Sequence, residues 1–237
     1  MRIIPFIKPN KILLPPSESL KLLSRDISDR KLFGIGEVHG VKDNVDLYFT
    51  VLQQFNFESI ALEYPVDCIL DLMNFIKNDV SPRHWFFQEI NDGRFSYEML
   101  SMLKLLYESG KLKKIICYDK RKDTIDWNSR DKDYADAFLE NYDPNFKMLI
   151  TGGNYHVKSA PFKSPNEKGT FYPMCWHLKE KLGNFPTAKI VYVSGEFFNF
   201  EKQSFQTLEI PDKEVNVLNV GDLRYEFILK NVKAIDN

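Results

Sequence analysis

Along this chain short apolar runs alternate with segments whose apolar positions fall at helical spacing. The first run, Lys31 to Gly36, carries Leu32, Phe33 and Ile35 and predicts a strand. From a start near Asp43, with Asp43 or Asn44 as cap, Tyr48, Val51, Leu52 and Phe55 then repeat as on one face of a helix. Ser59 to Glu63 predicts a second strand, and Val66, Ile69, Leu70, Met73 and Ile76 the apolar face of a second helix. Tyr97 to Gly110 reads as a helix through Leu100, Leu103, Leu106 and Tyr107, with Gly110 at its stop. Lys114 to Asp119 is a third strand, a helix capped by Asn128 or Ser129 runs to Asn141, and Phe146 to Ile150 is a fourth strand.

Outside this alternation the pattern weakens. Residues 1–30 contain Pro15-Pro16 and read as an extended packing arm with a short helix at Ser17 to Ser24. Residues 79–96, with Pro82, Trp85, Phe86, Phe87 and Gly93, show no clean period, and such an excursion fits a lid or the wall of a substrate pocket. After a loop holding Pro161, Pro165 and Gly169, a helix from Met174 to Leu182 stops at Gly183. Strands follow at Ala188 to Ser194, Phe205 to Ile210, Val215 to Val220 and Tyr225 to Leu229, dense enough to predict an antiparallel extension at the C-terminal end. The order β-α-β-α-α-β-α-β predicts an α/β fold, a mainly parallel sheet with helices on both faces, formed by residues 1–237 as one domain.

Composition narrows the function classes. Hydrophobic residues make up 43% of the chain and nineteen are Phe, which suits a well-filled interior. Lysine plus arginine (32) almost balance aspartate plus glutamate (33), so no overall field draws the protein to nucleic acid or an anionic membrane. The start, Met1 to Lys8, resembles a signal sequence, but Pro5 and Lys8 interrupt it, and no run reaches the roughly eighteen apolar residues of a membrane span. Cys68, Cys117 and Cys175 are widely spaced among apolar neighbours and read as buried hydrophobes in a reducing, cytoplasmic setting.

The chemistry collects where the strands end. In parallel sheets ligands bind beyond the carboxyl ends of the strands, and here those ends carry Glu37 and His39, Glu63, Asp119, and Asn154 with His156. Glycines flank both histidine loops, permitting turns and close approach to a small-molecule substrate. An imidazole beside carboxylates can activate water or a hydroxyl, with the carboxylate orienting it or acting as the base. Arg130, near a helix start, is placed either to stabilise an oxyanion or to form a surface ion pair with Asp131 or Asp133. His39, Glu63 and His156 are equally a ligand set for a divalent metal, although the His-Glu-x-x-His spacing is absent. No Gly-x-Ser-x-Gly elbow and no phosphate-binding Gly-x-x-x-x-Gly-Lys loop occurs.

Taken in order, Gly36-Glu37-Val38-His39-Gly40, Ala61-Leu62-Glu63, Ser129-Arg130-Asp131 with Ala135, and Gly153-Asn154-Tyr155-His156 resemble the erythromycin-esterase-like and ChaN-like superfamily over residues 31–195. The segment Trp176 to Gly183 is similar to the helix and glycine that follow the second histidine there. The resemblance implies a site at the strand ends and Glu37, His39, Glu63, Arg130 and His156 as the functional set. In the esterase branch it implies ester hydrolysis by histidine-assisted attack of water. The short Glu-x-His spacing is similar to the ChaN-like branch, which implies haem or iron handling, with Tyr64, Tyr118 and Tyr155 as candidate ligands. The chain is also much shorter than the esterases, which argues against a macrolide-enclosing helical layer.

Overall fold

The computed structural model describes residues 6–78, 80, 92–120, 126–163, 169–208 and 216–235. In chain order the described strands are β1 (Leu32–Glu37), β2 (Ser59–Pro65), β3 (Lys114–Asp119), β4 (Met148–Gly153), the short pair β5 (Phe162–Lys163) and β6 (Thr170–Phe171), β7 (Thr187–Tyr192), the hairpin β8 (Glu196–Asn199) and β9 (Glu201–Ser204), then β10 (Asn216–Gly221) and β11 (Arg224–Leu229). Seven of them form one sheet in the order β10-β11-β7-β1-β4-β2-β3. Every neighbouring pair is parallel except β10 with β11, so the predicted antiparallel extension is present at one edge. Strands β1 and β4 occupy the middle. The carboxyl ends of β1, β4, β2 and β3 are therefore adjacent, and the polar residues that follow them are brought side by side.

The described helices are α1 (Glu18–Arg30), α2 (Lys42–Gln54), α3 (Ile69–Asn78), α4 (Tyr97–Glu108), α5 (Trp127–Asn141) and α6 (Met174–Leu182). Strand alternation divides them between two faces. Phe33, Ile35, Ile60, Leu62 and Ile115 pack with α1 to α4, while Leu32, Ala61, Ile116, Met148 and Ile150 pack with α5 and α6. Because both faces are covered, the central strands are buried along nearly their whole length, as parallel sheets require. Truncating a fully buried member such as Phe33 or Phe138 to alanine costs about 3–5 kcal/mol. No helix among the described residues is long and apolar enough to cross a membrane.

Local departures from the sequence pattern have identifiable causes. Helix α1 continues to Arg30 because Leu20, Leu23 and Ile27 keep one stripe buried through its polar second half. Val41, with no side-chain hydrogen bond, occupies the α2 cap position. Asp43 instead accepts from Lys233 N at 2.8 Å, and Asn44 turns back toward β1. Asp126, not Asn128 or Ser129, caps α5, accepting from the Ser129 amide at 2.9 Å. Leu70 is 74% exposed, since the buried stripe runs through Leu72, Phe75 and Ile76. Phe205 to Leu208 form no strand. Phe205 stacks on Tyr192 with ring centres 4.6 Å apart, and β9 closes a separate hairpin before it.

The arm is laced to the helices by backbone amides. Ile7, Asn10 and Ile12 donate to Ser101 Oγ, Asp46 Oδ1 and Thr50 Oγ1 at 3.0, 2.7 and 2.8 Å. Of the irregular excursion, residues 79 and 81–91, including Pro82, His84, Trp85, Phe86 and Phe87, lie outside the described residues, as do 1–5, Pro165 and 209–215. Residues 92–94 form a turn directly before α4. All three cysteines are free and buried.

Candidate active site

Strand β1 ends on Glu37, and the chain bends so that His39 folds back on it. The His39 Nδ1–H donates to Glu37 Oε1 at 2.9 Å. The other oxygen, Oε2, accepts from Asn44 Nδ2 at 2.7 Å and from the Tyr48 hydroxyl. Both donors stand on α2, one turn apart on the face toward β1, so the first βα unit builds the whole support for this carboxylate. Asn44 Nδ2 also reaches Val38 O at 2.9 Å, and Tyr192 OH donates to Asn44 Oδ1 at 2.9 Å. With Glu37 held on every side, the imidazole is fixed in the tautomer that leaves Nε2 facing outward.

Gly40 makes this bend possible. Its φ of +77° is accessible to glycine at little cost, and a side chain there would strike the Phe198 carbonyl. Its amide donates to Gly93 O at 3.1 Å, and its carbonyl accepts from Phe198 at 3.0 Å and Ile235 at 3.0 Å. Three distant segments thus converge on the loop that carries His39.

Strand β2 supplies Glu63, which lies between the two histidines. Its Oε2 accepts the Gly153 amide at 2.7 Å and lies 3.7 Å from His39 Nε2. Its Oε1 lies 3.6 Å from His156 Nε2 and 3.3 Å from Arg94 Nη1. Arg94, from the 92–94 turn, also reaches Asp119 Oδ2 at 3.2 Å and Asp92 Oδ2 at 2.7 Å. Burial by itself would raise the Glu63 pKa, but the charges of His156, Arg94 and His39 and the Gly153 amide hold it down to about 2. Glu63 is therefore a fixed anion at neutral pH. For His39 burial lowers the pKa, and the Glu37 hydrogen bond with the charges of Glu63 and Glu37 more than reverses this, placing it above 6.5.

Loop β4 to β5 supplies His156. Its Nδ1 lies 2.7 Å from Asp131 Oδ1, and Asp131 Oδ2 accepts the Met174 amide at 2.7 Å. Arg130 Nη2 stands 3.2 Å from His156 Nε2. Arginine has no acceptor, so this contact places the lone pair on Nε2 and the proton on Nδ1, facing Asp131. The Arg130 guanidinium lies 4.8 Å from the centre of the Trp127 ring. Asp131 accepts from His156 and Met174, and the alternative of an ion pair between Arg130 and Asp131 does not form.

All five residues singled out in the sequence, Glu37, His39, Glu63, Arg130 and His156, thus meet at the carboxyl edge of the sheet. Tyr48, Asn44, Arg94 and Asp131 join them, although the strand-end pattern does not mark them. Tyr48 and Asn44 read as core and cap positions, and Arg94 sits in a stretch without periodicity. Asp131 stands in the Ser129-Arg130-Asp131 motif and reads there as a partner for Arg130. Its signal in the sequence is that motif, which sets it next to Arg130 in a helix leading toward β4.

The donor chemistry bears on ligands. Tyr64 and Tyr118 give their hydroxyls to Arg94 O at 3.0 Å and Thr151 O at 2.7 Å, and burial first of all pushes both phenols well above 10. Neither fits a phenolate ligand to haem iron. Tyr155 stacks on Phe162 at 5.5 Å. Among the described residues no group of three or more His, Cys, Asp or Glu has metal-holding geometry. Two guanidinium groups line the same space, with Arg130 on the His156 lone pair, which does not fit a divalent cation there.

No family model matches this chain, and no curated protein matches it. Solved structures do match in fold. A succinoglycan biosynthesis protein superposes with a TM-score of 0.69 at 14% identity, covering 98% of this chain and 96% of that one. A Bacillus cereus protein gives a TM-score of 0.58 at 12% identity over 96% and 95%. A mutant of the erythromycin esterase EreC, in its open conformation, gives 0.56 at 12% identity over 79% and 78%. At these identities the likeness is one of fold, and the arrangement of α/β layers around the sheet is what the proteins share.

Proposed function

We propose that this protein is a hydrolase of an ester, lactone or amide bond in a small-molecule substrate, with His39 as general base. The observation that carries this reading is the outward Nε2 of His39, backed by Glu37 on one side and facing ionised Glu63 on the other. In the reaction His39 Nε2 takes a proton from water as the water oxygen attacks the carbonyl carbon. Glu37 holds the ring and Glu63 stabilises the imidazolium that forms. His39 then returns the proton to the leaving oxygen or nitrogen. Arg130, whose Nε is buried without a hydrogen-bond partner, steadies the charge that develops on the carbonyl oxygen. His156, with Nδ1 on Asp131 and Nε2 on Arg130, braces that guanidinium at the edge of the site.

The fold shared with an erythromycin esterase supports ester hydrolysis as the first class to assay. The test is turnover of a panel of p-nitrophenyl esters, lactones and anilides by the protein and by His39→Ala and Glu63→Gln. Turnover that disappears in both variants, each still unfolding in one cooperative transition, is the expected result, with Glu63→Gln melting lower because its buried anion is gone. Full turnover in either variant removes its residue from the mechanism. The ChaN-like alternative predicts a haem Soret band on titration, whereas the engaged hydroxyls of Tyr64 and Tyr118 predict a spectrum unchanged from free haem.

A further inference from the structure

A cavity whose lining includes neither His39 nor His156 lies at the other side of the β1–β7 region. It is a groove of about 310 Å³ between the segment following β4 and strands β7 and β11. Val157, Ala160, Pro161 and Phe162 form one wall, and Ala188 and Val220 contribute to the other. Its polar lining is dominated by cations: Lys158, Lys189 and Arg224 against the single carboxylate of Glu226. That carboxylate is already committed to Lys189 at 2.9 Å. Among the described residues neither Lys158 nor Arg224 pairs with a carboxylate. Lys158 Nζ lies 3.6 Å from the centre of the Phe162 ring. Burial, and then the charge of Lys189, lowers the Lys158 pKa.

We infer that this groove is a binding site for an amphipathic carboxylate, whose apolar body lies along Val157, Phe162 and Val220 while its anionic end meets Lys158 and Arg224. Lys158 and Arg224 are exposed, so an uncharged apolar ligand would forgo their attraction, and a small hydrophilic anion would leave the wall exposed to water. Both halves of the lining are used only by a molecule with both properties. The site is separate from the proposed catalytic groups but not remote in the chain. Asn154 donates its amide to Glu37 O at 2.9 Å, and its neighbour Gly153 holds Glu63. Occupancy of the groove therefore bears on the loop between the two histidines, and the inference stands whether or not the hydrolase reading does.

The test is titration of the whole protein with decanoate, followed by calorimetry and by amide chemical shifts, with decanol and acetate as partial ligands. Saturable decanoate binding with a Kd below about 1 mM is expected, at least about tenfold tighter than either partial ligand. The shifts should centre on Val157, Thr187 and Ala188. Exposed Ala160→Trp should fill the groove, and the double variant Lys158→Gln with Arg224→Gln should weaken decanoate about tenfold while leaving decanol unchanged. Binding that persists in both variants, shifts centred on His39 and His156, or equal affinity for decanol overturns the inference. So does the absence of saturable binding.

Discussion

The two histidines look alike in sequence, each in a glycine-flanked loop after a strand, yet the structure gives them opposite surroundings. His39 is backed by a carboxylate two residues away, and its side chain is 21% exposed. His156 is backed by Asp131, a residue on another element with no exposure at all, and its own side chain is 8% exposed. Both orient Nδ1 toward a carboxylate and Nε2 toward Glu63. At His39 that Nε2 is open, whereas at His156 a guanidinium lies against it. The same carboxylate–imidazole pair thus leaves an accessible Nε2 in one place and a covered one in the other. The neighbour of Nε2 decides which.

The sharpest way to break this comparison is to remove each ring in turn. His39→Ala should lower kcat by about a thousandfold, the range expected for loss of a positioned general base, with little change in thermal unfolding. His156→Ala should lower it less and cost more stability, because Asp131 and Arg130 then lose their shared partner in a buried setting. Turnover and melting curves of both variants measured side by side decide the matter. Equal losses of activity would mean that both rings act in the proton transfer.

Asp131→Ala is next in size. It removes acceptors from His156 Nδ1 and from the Met174 amide, which opens α6, and both donors are buried. A loss of about 3 kcal/mol in denaturant unfolding follows. Glu37→Gln, on the more exposed pair, keeps an acceptor oxygen and the ring's contact, and should lose turnover while costing less stability. A reversal of that order would place the structural brace at His39.

The difference between the two pairs also marks what could be read from the residues. Glu37 and His39 are adjacent on one strand exit, so their pairing was visible in a five-residue motif. Parallel order then placed Glu63 and His156 at the same edge, because four strands of one direction must end together. What stayed hidden was contact at long range. Asp131 reaches His156 across twenty-five positions, and Arg94 reaches Glu63 across thirty-one. No periodicity marks a turn such as 92–94, where the side chain is chosen for the charges it meets rather than for a face it buries. Asn44 reads as a cap, but its Oδ1 accepts from the Tyr192 hydroxyl and its Nδ2 donates to Glu37, so neither end serves a helix amide.

Acidity gives a finer distinction. His39 titrates above 6.5, so the base form, and with it turnover, should grow as pH rises through that raised value. In Glu63→Gln one source of the raised pKa is gone, and the histidine's proton NMR titration should move to lower pH. Stability runs in two windows. The His39 contribution is fully present below 6.5 and is lost as pH rises through its folded value. The Glu63 contribution is present above 4.5 and is lost as pH falls toward about 2. In Glu63→Gln the acid window should flatten, as read from denaturation midpoints at a series of pH values. An unchanged histidine titration would mean that the 3.7 Å separation carries no coupling.

The smallest expected effect probes the group that separates the two histidines. Arg130→Lys keeps a positive charge but exchanges a planar fork for a compact ammonium, which cannot both lie flat against Trp127 and present a donor to His156 Nε2. If the guanidinium chiefly supplies charge to a developing oxyanion, Arg130→Lys should retain turnover to within about tenfold while Arg130→Gln falls further. If it chiefly blocks His156, both variants should free Nε2 and raise the ring's exchange with solvent to the same degree. The kcat ratio of the two variants, measured beside the exchange rate of the His156 ring proton, separates charge from shielding at this one contact.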